Sequence, residues 1–459
     1  MFQIPERHST VGREVLGGLT TFTAMSYIIF VQVSFLSGPS VGMDPGGVMM
    51  ATCLASAIAC ILMGLWANYP IGLAPGMGEN VYFAFTLVPL MATWGYGAGW
   101  KMALALTATA GAVFLLLSLV NFRARLLNAI PDSLKSGIAA GIGLFIAVVG
   151  LNMGNVVAKN PYGPMTSLVG FRDNPAAWLT LAGLAIIMML TAFRVRGAIL
   201  LGILSTTAIA MLWGHTQGQV PVAMPTGLTK TAGGFIGGFA SLYQGLSEHW
   251  VEILTALFIL LFMDLFDTVG TLVGVSQRAG LMQDGKLPRA ERALAADAGG
   301  TLAGSVLGTS TVTSYIESIT GVQAGARTGL AAIVVGICML AAMFFRPLVE
   351  MVIGDFTVTV AGSEVRKFPT IAPALIVVGA LMMRAMRDIE WDEITESIPA
   401  FLTMITIPLA YSIADGIAIG FIAYAAGKLL AGRPRECPLL VYFFAILLSL
   451  RFLLPGING

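Results

Sequence analysis

Apolar residues run through this chain in blocks of about twenty, separated by short polar links, and a helix of that length crosses the hydrocarbon core of a bilayer. Residues 15–36, 47–67, 72–88, 99–121, 133–154, 176–193 and 197–214 form a first series. A polar, Gly-rich stretch from His215 to Glu248 then interrupts the pattern and reads as a link. A second series follows at 250–276, 291–307, 313–323, 328–346, 371–386, 396–410 and 412–431. The pattern therefore predicts an all-α polytopic membrane protein of about fourteen segments, arranged as seven and seven. A last apolar run, Leu439–Leu454, is short, carries Arg451 and ends at Pro455. It reads as a helix lying along the membrane interface.

Two segments, each third in its series, depart from an ordinary span. Residues 69–83 begin YPIGLAPG before Met77-Gly78-Glu79-Asn80, and residues 308–322 begin GTSTVTS before Tyr315-Ile316-Glu317-Ser318. Pro and Gly in the first, and β-branched Thr and Val in the second, resist helix, and a short Gly-flanked helical stretch follows in each. Interrupted segments at matching positions of two halves mark the binding site of a transporter built from repeats. Irregular backbone at that depth persists only where protein packs on it or it lines a cavity.

Composition agrees with lipid as the solvent. The chain is 57% hydrophobic and 11% charged, against about 25% charged in soluble domains, and its mean hydropathy is +0.85. A formal net charge of +1 gives no footprint for a nucleic-acid partner. Cys53, Cys60, Cys338 and Cys437 form no CxxC pair, and His8, His215 and His249 are scattered, so no metal site is expected. The first apolar segment is too long for a signal-peptide core and lacks a small-residue cleavage site. With the N-terminus placed inside, eighteen of the 25 Lys and Arg fall on the inner side, as cytoplasmic loops require. Both termini are then cytoplasmic.

The candidate chemistry lies in acids within the apolar segments. Asp264 and Asp267 sit mid-span at i, i+3 in the eighth segment, Glu317 and Glu79 lie in the two interrupted segments, and Asp297 lies in the ninth. An ionised Asp at the bilayer centre costs about 2.5–3.5 kcal/mol on insertion scales, so such groups need partners or a wet cavity. Burial disfavours the ionised form, so a carboxyl group there can take up a proton on one side and release it on the other. Half-helix N-termini offer unpaired N–H groups and the carboxylates accept hydrogen bonds, which together suit a flat ligand edge such as a nucleobase. Phe22, Tyr82, Phe83 and Phe266 are candidates to stack on its face. Asp415 reads as an interfacial or capping residue at the start of the last span.

At these residues the chain resembles the azaguanine-type (AzgA-like) hypoxanthine/guanine/adenine permeases, a branch of the nucleobase–cation symporters. The resemblance rests on Thr20–Ile29 (TTFTAMSYII), Ala74–Asn80 (APGMGEN), Gly137–Ile146 (GIAAGIGLFI), Phe262–Thr271 (FMDLFDTVGT) and Gly308–Ser318 (GTSTVTSYIES), and it covers nearly the whole chain. It implies the uracil/purine permease fold, with two inverted seven-segment repeats and with segments 3 and 10 each a short strand plus a half-helix. It implies a core domain of residues 1–130 and 233–349 and a gate domain of residues 131–232 and 350–459. It also implies purine uptake by proton symport through an elevator-like movement of core against gate, with the proton as coupling ion and no other cofactor, and in many relatives a homodimer. Carried over by motif, the substrate contacts are Asp264, Glu317, Asn80 and Gly78, with Ser318, Thr271 and Phe83 in support, and the proton-coupling acids are Asp267, Glu317 and Asp297.

Glu79 stands where many relatives have an apolar residue, and Gln32-Val33 where many have Asn-Pro, which leaves the preferred purine open. An anion transporter of the sulfate-permease type is the alternative on the same architecture, but its site is expected to lack acids, whereas here the predicted midplane holds acids and no Lys or Arg. A channel fits paired interrupted helices less well than alternating access does. No nucleophile–base or metal constellation supports an intramembrane enzyme.

Overall fold

The computed structural model describes residues 2–119, 130–159, 166–216, 218, 220–282, 287–354, 356–360 and 363–453. Arg123, Arg125, Lys286 and Pro455 of the charge and boundary pattern lie outside them. The first half comprises α1 (Val11–Met25), α2 (Tyr27–Leu36), α3 (Pro45–Leu62), β1 (Leu73–Pro75), α4 (Met77–Tyr82), α5 (Val88–Thr93), α6 (Gly99–Leu119), α7 (Asp132–Met153), the hairpin β2 (Val157–Lys159) and β3 (Thr166–Leu168), α8 (Pro175–Ala192), α9 (Ala198–Leu212) and α10 (Gly234–Gly245). The second half comprises α11 (Trp250–Arg278), α12 (Ala290–Leu307), β4 (Val312–Ser314), α13 (Ser318–Gln323), α14 (Gly329–Ala342), α15 (Arg346–Ile353), the hairpin β5 (Phe356–Val360) and β6 (Ser363–Lys367), α16 (Ala372–Met382), α17 (Ile394–Leu409), α18 (Ile413–Leu430) and α19 (Leu439–Leu453).

Among the described residues, eight helical stretches are long and apolar enough to cross a membrane, and α9, α17 and the apolar part of α19 are shorter apolar helices. Their starts carry ordinary capping chemistry. Thr10 caps α1 through the Arg13 N–H, Asp44 caps α3 through the Gly47 N–H with Pro45 next, and Asn174 caps α8 with Pro175 next. Ser412 caps α18 by accepting from the Asp415 N–H, so Asp415 lies inside the first turn and Ser412 is the cap. Leu212, Leu430 and Leu439 are 85–89% exposed. Side chains that apolar remain at a surface covered by lipid.

Three elements, one helix and two hairpins, lie where the sequence pattern predicts links. The link 215–248 contains α10, which packs against α6 through Gly238; a Cβ there would lie 1.9 Å from the Lys101 carbonyl oxygen. Glycine lowers helix propensity but permits this approach, so composition hid the helix. The two hairpins, β2–β3 and β5–β6, lie in links between apolar segments. The last apolar run is a helix packed along α11 and α18, with Phe444 stacked on Phe258 at 3.8 Å.

Packing divides the helices into two neighbourhoods. One holds α1, α3, α6, α11, α12 and α14; in the other α7 lies against α16, α17 and α18, and α8 against α9 and α16. In the first, Gly64 and Gly329 bring two segments into backbone contact, since a Cβ on Gly329 would lie 2.1 Å from the Gly64 carbonyl oxygen.

Strands β1 and β4 join the two interrupted segments in an antiparallel pair, Leu73↔Ser314, Ala74↔Thr313 and Pro75↔Val312. The Tyr315 N–H donates to Gly72 O at 3.0 Å and the Gly76 N–H to Thr311 O at 3.1 Å, which extends the ladder at both ends. Side chains satisfy further backbone groups there. Ser318 Oγ accepts from the Gly72 N–H (3.0 Å), Thr301 Oγ1 donates to Val312 O (3.0 Å), and the Leu73 N–H donates to Cys60 Sγ (3.1 Å). Non-helical backbone at membrane depth needs this complete accounting, because lipid offers no partner.

Candidate functional site

Between the two neighbourhoods lies a half-open cavity of about 220 Å³. Gly78 and Glu79 of α4 and Phe262, Met263, Phe266 and Asp267 of α11 form one wall; Lys135, Ile138 and Ile142 of α7 with Met382 and Ala385 form the other. Asp267 is exposed within it, and Thr313 of β4 donates to Asp267 Oδ2 at 3.3 Å. Glu79 is buried, and among the described residues its Oε2 has no hydrogen-bond partner. Its carboxyl curls back over the start of α4, where a Cβ on Gly76 would lie 2.2 Å from Oε2. Glu317, half-buried, immediately precedes α13, and Tyr27 Oη donates to its Oε1 at 2.8 Å. Asp267 feels the charge of Glu317, and Glu79 that of Asp267, so these acids form one electrostatic group.

The residues expected from the sequence divide by position. Gly78 and Asp267 line the cavity, and a Cβ on Gly78 would meet Ile142 at 3.2 Å and Met263 at 3.3 Å, one from each wall. Asp264 is 2% exposed and is not part of the lining. At about 100° per residue, the lining stripe 262, 263, 266 and 267 is centred well away from position 264, so an i, i+3 spacing did not bring both acids to one surface. Asn80 is fully buried and its Oδ1 accepts from Ser310 Oγ, while Gln32 Nε2 donates to Thr309 Oγ1 (2.8 Å) and Ser310 Oγ (3.0 Å). Asn80 and Gln32 thus tie α2 and both interrupted segments together. Ser318 is engaged by Gly72, and Thr271 is 4% exposed one turn beyond Asp267. Asp297 accepts from Thr268 (2.8 Å) and Ser314 (3.1 Å), which locks α11, α12 and β4. Phe83 is fully buried in the core, Tyr82 is 1% exposed, and Phe22 borders a separate apolar cleft; among the four aromatics only Phe266 lines the cavity.

The sequence reading missed Tyr27, Thr313 and Lys135. Lys135 Nζ lies 5.5 Å from the Phe266 ring centroid and 2.7 Å from Asp132 Oδ1, so the cavity mouth does hold a cation, paired with an acid. Its signal was a Lys beside Ser136 at the very start of an apolar span. Tyr411 bridges the neighbourhoods, with its ring edge-on to Phe145 (4.8 Å) and Phe85 (6.2 Å).

Interrupted, hydrogen-bonded segments presenting acids to a half-open cavity inside a polytopic helical protein define a membrane transport protein. A family model described as the permease family matches residues 12–419, and the chain belongs to that family. It is 42% identical over 467 residues to the guanine/hypoxanthine permease PbuG of Bacillus subtilis, covering 98% of each chain. It is 41% identical over 453 residues to a putative permease of Methanocaldococcus jannaschii, covering 98% of this chain and 97% of that one. The adenine permease AdeQ of Escherichia coli is 36% identical over 455 residues, covering 99% and 96%. Among solved structures, the transmembrane domain of the cyanobacterial bicarbonate transporter BicA superposes with a TM-score of 0.61 at 14% identity, over 89% of this chain and 97% of that one, which shows the shared fold.

Proposed function

We propose that the protein takes up purine nucleobases across the cytoplasmic membrane by proton symport. The observation that carries this reading is the grouping of Asp267 on α11 with Glu79 and Glu317 at the two interrupted segments, beside a cavity wall that carries Phe266. The relatives named as guanine/hypoxanthine and adenine permeases support the substrate class. In this reading Glu317 and Glu79 accept N–H bonds from the base, Gly78 lets it approach the start of α4, and Phe266 stacks on its face. Asp267 exchanges the proton, and Asp264, Asn80, Thr271, Ser318, Phe83 and Asp297 hold the surrounding segments. The α1–α6 and α11–α14 neighbourhood is the core that moves as an elevator against the gate built around α7, with both termini cytoplasmic. The cavity is then open to the inside, and the Tyr411 contacts close the outside. The antiparallel β1–β4 pair is what two inverted repeats would produce. An anion cargo is disfavoured, because two carboxylates, Glu79 and Asp267, line the cavity against a single paired lysine.

The test is uptake of radiolabelled adenine, guanine, hypoxanthine, xanthine and uracil into cells lacking their own permeases, with and without a protonophore. Purine accumulation that collapses with the protonophore is expected. Transport of none of these bases refutes the substrate class, and accumulation unchanged by the protonophore refutes the coupling. Glu317→Gln is expected to abolish or strongly weaken transport with insertion intact, and normal transport by it refutes the site.

A further inference from the structure

A second cavity, about 790 Å³, lies at the face that carries the N-terminus, away from the acids. Its walls come from the segment before α1, the link after α3, the start of α12 and the loop between α13 and α14. Arg7, Arg289 and Arg327 converge on it, each half-buried, with exposed His8 beside them and Glu6 the one acid in the lining. Arg7 donates one nitrogen to the carbonyls of Asn68 (2.9 Å) and Arg327 (2.8 Å), and Arg327 donates one to those of Val322 and Ala326, both at 2.6 Å. Among the described residues none of the three forms an ion pair with a carboxylate, and Arg289 has no side-chain hydrogen bond. The nearby Glu14 carboxylate is engaged by the N–H groups of Arg327 (2.9 Å) and Thr328 (3.1 Å).

Three half-buried cations facing one space repel each other and have lost hydration. Burial first, and then the Arg289 charge, hold the Arg7 guanidinium below its ordinary value. The backbone anchors fix Arg7 and Arg327 in place without neutralising them and leave their remaining N–H groups for a ligand. Planar guanidinium groups arranged this way match the oxygens of phosphate, which accept several charge-assisted bonds at once.

We propose that this cleft binds a phosphate group through Arg7, Arg289 and Arg327, carried either by a soluble phosphate monoester or by an anionic lipid headgroup. Arg327 also holds the Val322 carbonyl in the last turn of α13, the half-helix that follows Glu317, so occupancy stiffens that half-helix. The inference does not depend on which substrate the central cavity takes.

The test uses the full chain in phosphatidylcholine nanodiscs, with thermal unfolding and equilibrium binding measured against inorganic phosphate and adenosine monophosphate. A parallel set of nanodiscs contains phosphatidylglycerol and no added phosphate. Arg289→Asn suits the left-handed backbone at φ 57° and removes the charge, Arg289→Lys restores a charge there, and Arg7→Gln is a second removal. Saturable stabilisation is expected in one arm, weakened about tenfold or more by Arg289→Asn and by Arg7→Gln, and largely recovered by Arg289→Lys. A response to the soluble phosphates assigns a soluble ligand, and a response only to phosphatidylglycerol assigns a lipid. No response in either arm, or one that survives both removals, overturns the proposal.

Discussion

Replacing Tyr27 by Phe removes one hydroxyl from a ring that is 1% exposed and leaves the packing in place. That hydroxyl donates to Glu317 Oε1 at 2.8 Å. A hydrogen bond to a charged group contributes about 1.5–3 kcal/mol net, and each ~1.4 kcal/mol is a factor of ten in affinity. If the bond holds Glu317 where a base meets it, Tyr27→Phe weakens purine binding by roughly 10–150-fold. Calorimetric titration of the purified protein with guanine and hypoxanthine measures this, and thermal unfolding of the unliganded protein separates it from a loss of fold. A background of Glu317→Asp supplies the control, because the shorter acid no longer reaches the hydroxyl. There the second substitution should cost less than about threefold, since contacting residues are coupled. Wild-type affinity in Tyr27→Phe, or a full additional loss on top of Glu317→Asp, refutes the idea that Tyr27 acts by positioning this acid.

Further outcomes follow from single contacts. Gly78→Ala places a methyl 3.2–3.3 Å from the flexible ends of Ile142 and Met263; the protein should fold, with KM for uptake raised by the roughly 1–3 kcal/mol of overpacking in the cavity. Gly329→Ala sets a methyl against the Gly64 carbonyl oxygen at 2.1 Å, where only backbone can yield, so fluorescence size-exclusion chromatography should show loss of the monodisperse protein. At the link before α3, burial alone would raise the Asp44 carboxyl, but hydrogen bonds from Lys230 (2.6 Å) and the Gly47 N–H (2.9 Å) outweigh it and hold the group below its ordinary value. Its contribution is therefore complete above the ordinary carboxyl range near pH ~4 and is lost as pH falls through the lowered value. Asp44→Ala should cost about 1 kcal/mol as a lost cap, with the difference in Tm from wild type shrinking below that range.

The spans were readable because their apolar blocks are set by bilayer thickness, and the two interrupted segments because Pro75 and Thr309–Thr313 oppose helix where the pattern otherwise continues. What joins those segments was not readable. The register Leu73↔Ser314 links residues far apart in the chain, and nothing local specifies it. The candidate acids were found as a set, since each is costly in an apolar block, but their orientations were not. Asp267 faces the cavity while Asp264, one turn away, does not line it, and that difference follows from how α11 is rotated against its neighbours. Lys135 and Tyr27 were overlooked because their roles depend on Phe266 and Glu317, each over a hundred residues distant.

The ladder between β1 and β4 constrains how the molecule can work mechanically. Glu79 and Glu317 ride on separate halves of the chain, yet the strands beside them are stitched edge to edge, so the two acids cannot be drawn apart without unstitching backbone in oil. In the proposed movement of core against gate, this seam stays whole and slides as one rigid tray past the wall built on Lys135, Ile142 and Met382.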